Sequence, residues 1–103
     1  MTEEYDKLVR DRIPEIIRAD DAVPVTETVS GDEYRDRLRE KLDEEVTEFH
    51  ESDRVAELAD VLEVVYALAA ADDVTPEELE TMRREKRTER GGFDEGVVLD
   101  RVE

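Results

Sequence analysis

This sequence predicts an all-α fold, an antiparallel helical bundle completed by dimerisation, and three observations carry that expectation. Two long segments repeat apolar residues at helical spacing: Tyr34, Leu38, Leu42, Val46 and Phe49 in the first, and Val55, Leu58, Ala59, Leu62, Val65, Tyr66 and Ala69 in the second. Helix-start signatures stand where helices should open, with Ser30 and Glu33 at one site and Thr75, Pro76 and Glu78 at another. The second long segment carries a further stripe of Val61, Val64 and Leu68, so it is apolar nearly all round. One copy of the chain has too few other amphipathic helices to cover both sides. A second copy would, as a four-helix bundle about a two-fold axis, so the expectation is an obligate homodimer, with a tetramer as the larger alternative.

In chain order, Pro14 disfavours helical geometry at Ile13 and suits a first turn, which predicts a short helix over Pro14 to Ala19. Residues 22 to 29 alternate loosely around Val23 and Val25, with Pro24 confining them to a sheet edge. The first long helix runs from about residue 31 to Phe49 or Glu51. Ser52 and Asp53 are read as the cap and negative first turn of the second, over about Asp53 to Ala71. A third, surface-lying helix opens at the Thr75 capping box, carries few apolar residues beyond Leu79 and Met82, and stops near Arg90 before Gly91. Val97 to Val102 reads as a last strand, pairing with the segment around Val25 in a small two-stranded element that would include Val98.

The chain has 103 residues, enough for one domain, 1–103. It lacks a membrane-spanning run of about 20 apolar residues. Met1 to Arg12 is charged throughout, unlike a signal peptide. The absence of cysteine excludes a disulfide framework and a thiolate metal site. Together these predict a cytoplasmic protein. A net charge of −17, from 32 acidic and 15 basic residues, would repel nucleic-acid polymers and membrane surfaces. The acids are spread along the chain and not gathered in a tail, as expected of a halophilic protein, because at molar salt the Debye length falls to about 3 Å and self-repulsion is screened. Lysine is scarce on this background: only Lys7, Lys41 and Lys86 occur, against twelve arginines.

Four carboxylates arrive in two i, i+3 pairs, Glu45 with Glu48 and Glu57 with Asp60. Residues three apart share a helix face, so each pair can aim two oxygen donors at one place. Antiparallel packing of the two helices would bring four carboxylates together, a donor set suited to Mg²⁺, or to Mn²⁺ in its place. Glu57 and Asp60 also lie beside Val61 and Val64 on an apolar stripe. A solvated face does not explain that placement, since burying an unpaired carboxylate costs several kcal/mol or more. Glu44 falls nearer solvent, and His50 reads as a surface residue. Lys7, Arg10 and Arg12 place three cations in six residues, either a solvated basic patch or a phosphate-contacting arm. Arg83, Arg84, Lys86, Arg87 and Arg90 form a second basic cluster, denser than helix-dipole compensation needs, followed by Gly91, Gly92 and a Phe93 ring suited to stacking on a base.

The 41–48 stretch Lys-Leu-Asp-Glu-Glu-Val-Thr-Glu and the 57–60 stretch Glu-Leu-Ala-Asp resemble the ExxE and ExxD metal motifs of the MazG-like nucleotide pyrophosphohydrolases. Tyr-Asp-Lys-Leu-Val-Arg-Asp-Arg-Ile-Pro at 5–14 and Lys86 through Arg90-Gly-Gly-Phe93 resemble the flanks of a small stand-alone subgroup, so the likeness spans nearly the whole chain. It implies that Glu45, Glu48, Glu57 and Asp60 hold Mg²⁺ and that Glu44, beside Glu45, assists catalysis as an outer ligand or water-orienting base. It further implies that Lys7, Arg10, Lys41, Lys86 and Arg90 meet the phosphates of a nucleoside triphosphate cleaved to monophosphate and pyrophosphate, in a house-cleaning role. The alternatives are phosphoribosyl-ATP as substrate, or a non-catalytic acidic helical interaction module. Only eight residues separate Glu48 from Glu57, a tight connection that leaves base specificity open.

Overall fold

The computed structural model describes residues 3–103, and these contain four helices in the order α1 (Ile13–Ala19), α2 (Gly31–Ser52), α3 (Val55–Ala71) and α4 (Pro76–Arg90). The all-α expectation holds. Among the described residues there is no strand, so the two-stranded element expected around Val25 and Val98 is not formed. Val23, Val25, Val97 and Val98 are all at least 80% exposed, and an alternating pattern without a sheet face to lie on has nothing to pair for.

The centre of the molecule is the α2–α3 hairpin. Its connection is only Asp53 and Arg54, because Asp53 takes a left-handed conformation (φ 55°) and its N–H bonds back to the Phe49 carbonyl at 2.8 Å. This corrects the expectation that Ser52 and Asp53 cap α3. Ser52 ends α2, Asp53 closes it, and Arg54 stands at the N-terminus of α3 with no side-chain cap. Likewise α2 opens at residue 31 as expected, yet Ser30 makes no side-chain cap bond. The chain enters that helix through Gly31 at φ 58°, which turns Ser30 away from the geometry a capping box needs. At α4 the box is complete, with Thr75 Oγ1 accepting from the Glu78 N–H at 3.1 Å.

Leu38 of α2 and Val64 of α3 are the buried apolar side chains of this hairpin, joined by one buried carboxylate, Glu45. Thus α3 turns its Val61–Val64 stripe inward and leaves Val55, Leu58 and Leu62 of its larger stripe 78%, 44% and 47% exposed. For a folded monomer of 11.9 kDa the accessible surface should be about 6,000 Å², whereas this chain exposes 9243 Å². Its radius of gyration, 18.0 Å, also exceeds the roughly 13 Å of a compact chain this long.

Candidate metal centre

Helical geometry and the short hairpin turn together set this site. Glu45, about two turns before the end of α2, and Glu57 and Asp60, in the first two turns of α3, meet across the hairpin. One carboxylate oxygen from each lies within 4.8 Å of the others. Glu45 is the buried member, its side chain only 10% exposed, and its Oε2 has no hydrogen-bond partner. A buried carboxylate oxygen without a donor costs free energy unless something else satisfies it. Three hard oxygen donors around such an atom fit Mg²⁺ or Mn²⁺, which favour carboxylates, and offer nothing to a soft metal.

Glu48 lies at the margin of this cluster and is not among the three converging groups. Its carboxyl is held above the usual carboxylate range, first by the charge of Glu45 and then by a hydrogen bond with it, with Glu44 and Glu57 adding to the repulsion. A cation placed among these groups would relieve that repulsion. Glu44 lies outside the cluster and is spoken for on both oxygens: Lys7 Nζ is 3.2 Å from Oε1 and Lys41 Nζ 3.2 Å from Oε2. Burial would raise its pKa, but the hydrogen bonds from Lys41 and Lys7 outweigh this and hold it below the usual range.

Three of the five sequence-named cations reach the acids within one chain. Lys41 also stands 3.1 Å from Glu45 Oε1, and although burial would lower its pKa, hydrogen bonds to Glu45 and Glu44 keep it raised. Arg10 Nη2 is 2.8 Å from Asp60 Oδ1. Lys7 and Arg10 arrive on the N-terminal arm, which is pinned by Arg37, donating to the Asp6 carbonyl at 3.0 Å and to its carboxylate at 2.8 Å. Arm, α2 and α3 enclose a cleft of about 380 Å³ with Arg10, Lys41, Glu45 and Asp60 on its walls. Lys86, Arg90 and Phe93 are not part of it: all three are exposed, Phe93 to 97%, the first two on an α4 that does not touch α2 and Phe93 just beyond its end.

Two further residues belong to the site. Arg54 Nη2 bonds Glu57 Oε1 at 2.8 Å, an i, i+3 spacing that sequence inspection could have found. Arg37 continues the Lys41, Glu45 and Glu48 side of α2 one turn back, a legible signal for a residue facing the same arm.

The arm's attachment has a pH dependence. Because the folded-state pKa of Glu44 is depressed, its contribution is fully present above its unfolded value of about 4.3 and is lost as pH falls through the lower folded value. Glu48 has the opposite sign, so acidification relieves it. The chemical shifts of residues 7–12 should therefore move toward disordered values as pH drops below about 4.3. Unchanged shifts would dissociate the arm from Glu44.

No protein-family model matches the chain, and no solved structure does. It is 57% identical over 47 residues to an uncharacterized protein of Mycolicibacterium smegmatis (strain ATCC 700084 / mc(2)155), an alignment covering 46% of this chain and 48% of that protein. This chain thus spans about half the length of the relative it matches. Among the described residues, no helix is long and apolar enough to cross a membrane.

Proposed function

We propose that the chain is a Mg²⁺-dependent nucleotide pyrophosphohydrolase of MazG-like type, a cytoplasmic, salt-adapted homodimer that cleaves the α,β bond of a nucleoside triphosphate in a house-cleaning role. The observation that carries this reading is that buried Glu45, whose Oε2 has no partner, converges with Glu57 and Asp60, with Lys7, Arg10 and Lys41 alongside. Carboxylates next to cations, in a cleft of nucleotide-fragment size, suit a metal–phosphate ligand: the acids bind the ion and the cations bind what the ion brings.

Mg²⁺ bound by Glu45, Glu57 and Asp60, with Glu48 beside them, would supply phosphate neutralisation and a more acidic bound water. The chain's own residues do the rest. Arg10 leaves Asp60 and Lys41 leaves Glu45 to meet phosphate oxygens, an exchange of one charge-assisted bond for another. As Lys7 and Lys41 turn to the triphosphate, Glu44 loses the two partners that depress its pKa and gains the basicity to accept a proton from the attacking water. The cations then stabilise charge on the departing pyrophosphate. No nucleophilic side chain is needed, in keeping with a chain that has no cysteine and one histidine.

A non-catalytic interaction module has one observation in its favour, the pairing of Glu57 with Arg54 and of Asp60 with Arg10 as ordinary ion pairs. It leaves the orphaned Glu45 oxygen without a purpose. The discriminating experiment is pyrophosphate release from a panel of nucleoside triphosphates and phosphoribosyl-ATP at molar KCl, with Mg²⁺ and with chelator. Metal-dependent release is expected from one nucleoside triphosphate. Release from phosphoribosyl-ATP alone would move the enzyme to that substrate, and no release from a folded dimer would favour the module.

A further inference from the structure

Each of the three converging carboxylates carries a cation, and the three cations differ in origin. Arg54 pairs with Glu57 at i, i+3 spacing and Lys41 with Glu45 at i, i+4 spacing. These partners are local to the hairpin and stay beside their acids as long as the helices stand. Asp60 is paired instead with Arg10, 50 positions away in the chain. Arg10 comes from outside the hairpin and can leave without unfolding a turn of it. The three acids are thus balanced by charge with no ion bound, and one of the balancing cations is removable.

The segment that delivers Arg10 is held by polar contacts spaced along it. Residues 3–12 lie outside every helix. Asp6 is tied to Arg37 at 2.8 Å, Lys7 to Glu44 at 3.2 Å and Arg10 to Asp60 at 2.8 Å. Arg37 and Glu44 stand two turns apart on α2, about 10 Å along its axis, so the arm follows α2 before it crosses to α3. Between the ties, only Leu8 and Val9 are half-buried, on the wall of the cleft. The side chains of Arg10 and Asp60 are 56% and 40% exposed, and an ion pair this open to water is weak and readily exchanged.

A divalent ion and a guanidinium held by the same carboxylate are like charges a few ångströms apart, so bound metal and docked arm oppose each other at Asp60. A polyphosphate reverses that relation. It arrives with the ion already on its oxygens and offers Arg10 and Lys7 new acceptors in the cleft that the arm walls.

We propose that the N-terminal arm is a displaceable counter-ion that makes this site selective for a divalent metal already complexed with a polyphosphate over the free ion. The inference rests on the reading of the acids as a metal–phosphate site and states how that site is regulated. Free metal must expel Arg10 with nothing to receive it, whereas a metal–polyphosphate complex takes Arg10 onto its own oxygens and keeps the arm in place. Docking of the arm and binding of free metal are therefore negatively coupled, and metal and phosphate positively coupled, through the same few residues. Asp6 and Arg37 touch neither ligand and act as positioning residues, setting how firmly the arm is held.

Two probes test this at molar KCl: Mn²⁺ alone, followed by electron paramagnetic resonance, and Mg²⁺ premixed with inorganic pyrophosphate, followed by calorimetry. Each is titrated into the wild type, Arg10→Ala and Asp6→Ala. Arg10→Ala should bind Mn²⁺ about 3-fold more tightly, the scale of an exposed ion pair, and the pyrophosphate complex more weakly. Loss of a positive charge gives the same signs, so Asp6→Ala separates the two causes. That substitution removes a negative charge, which by itself weakens metal binding and strengthens pyrophosphate binding. It also removes the carboxylate by which Arg37 holds the arm, and release of the arm gives the opposite result: tighter Mn²⁺ and a weaker pyrophosphate complex. Both substitutions lie outside the helices, and circular dichroism should be unchanged. Shifts of Asp6→Ala in the direction of charge alone, or equal affinities in all three chains, overturn the arm's role and leave the metal site standing. No saturable Mn²⁺ binding by any of the three removes the metal site and the arm's role with it.

Discussion

Glu45→Gln is expected to reduce Mg²⁺-dependent pyrophosphate release by at least about 100-fold while leaving the helices intact. Removing a group that merely orients a metal ligand typically costs 10–100-fold, so neutralising the most buried ligand should cost no less. The amide is nearly isosteric, so little packing is lost. It still reaches Lys41, 3.1 Å from Oε1 in the wild type, through its carbonyl oxygen. What it lacks is the second anionic oxygen, the one that now has no partner. Fold and site are therefore separable in this variant: circular dichroism should be unchanged and activity lost. Full activity with Gln at position 45 would remove Glu45 from the mechanism.

The second large effect is on assembly. Leu58→Asp should convert the proposed dimer to monomer, because it places a carboxylate in the exposed apolar strip that a second copy would cover. An uncompensated charge in a dry interface costs roughly 3 kcal/mol or more, and two-fold symmetry applies the cost twice, so Kd should rise on the order of 10⁴-fold. In an isolated chain the substitution would be mild, since Leu58 is 44% exposed there. Sedimentation equilibrium at molar KCl measures this directly. The monomer released should also lose helicity, because Leu38 and Val64 alone make too small a core to hold a domain. An unchanged dimer would put the interface elsewhere.

How much of this was legible follows from the range of each interaction. The Thr75–Glu78 box and the two long apolar repeats are local signals, and they place α4, α2 and α3 within a residue or two of where they lie. Where a local signal failed, another residue's backbone prevailed: left-handed Asp53 claimed the turn that Ser52 was expected to cap, and Gly31 disarmed the Ser30 box. The strand pairing of the Val25 and Val98 segments was a guess about partners more than 70 residues apart, and alternation alone cannot name a partner. Of the four carboxylates that the two i, i+3 pairs were expected to bring together, Glu45, Glu57 and Asp60 converge and Glu48 does not. The spacing did not reveal that the smaller stripe of α3 turns inward, or that Arg10 crosses 50 positions to reach Asp60, because both depend on tertiary packing. Nor could it show that Glu44, read as a catalytic group, spends this state clamped between Lys7 and Lys41.

The most direct test of the central claim, that the hairpin carboxylates hold a divalent metal, is an Mn²⁺ titration followed by electron paramagnetic resonance at molar KCl, on the wild-type chain and on Asp60→Ala. The account predicts saturable binding to the wild type that Mg²⁺ displaces, and its loss in Asp60→Ala without loss of helicity. No saturable binding to the wild type, or equal binding to both chains, would contradict it.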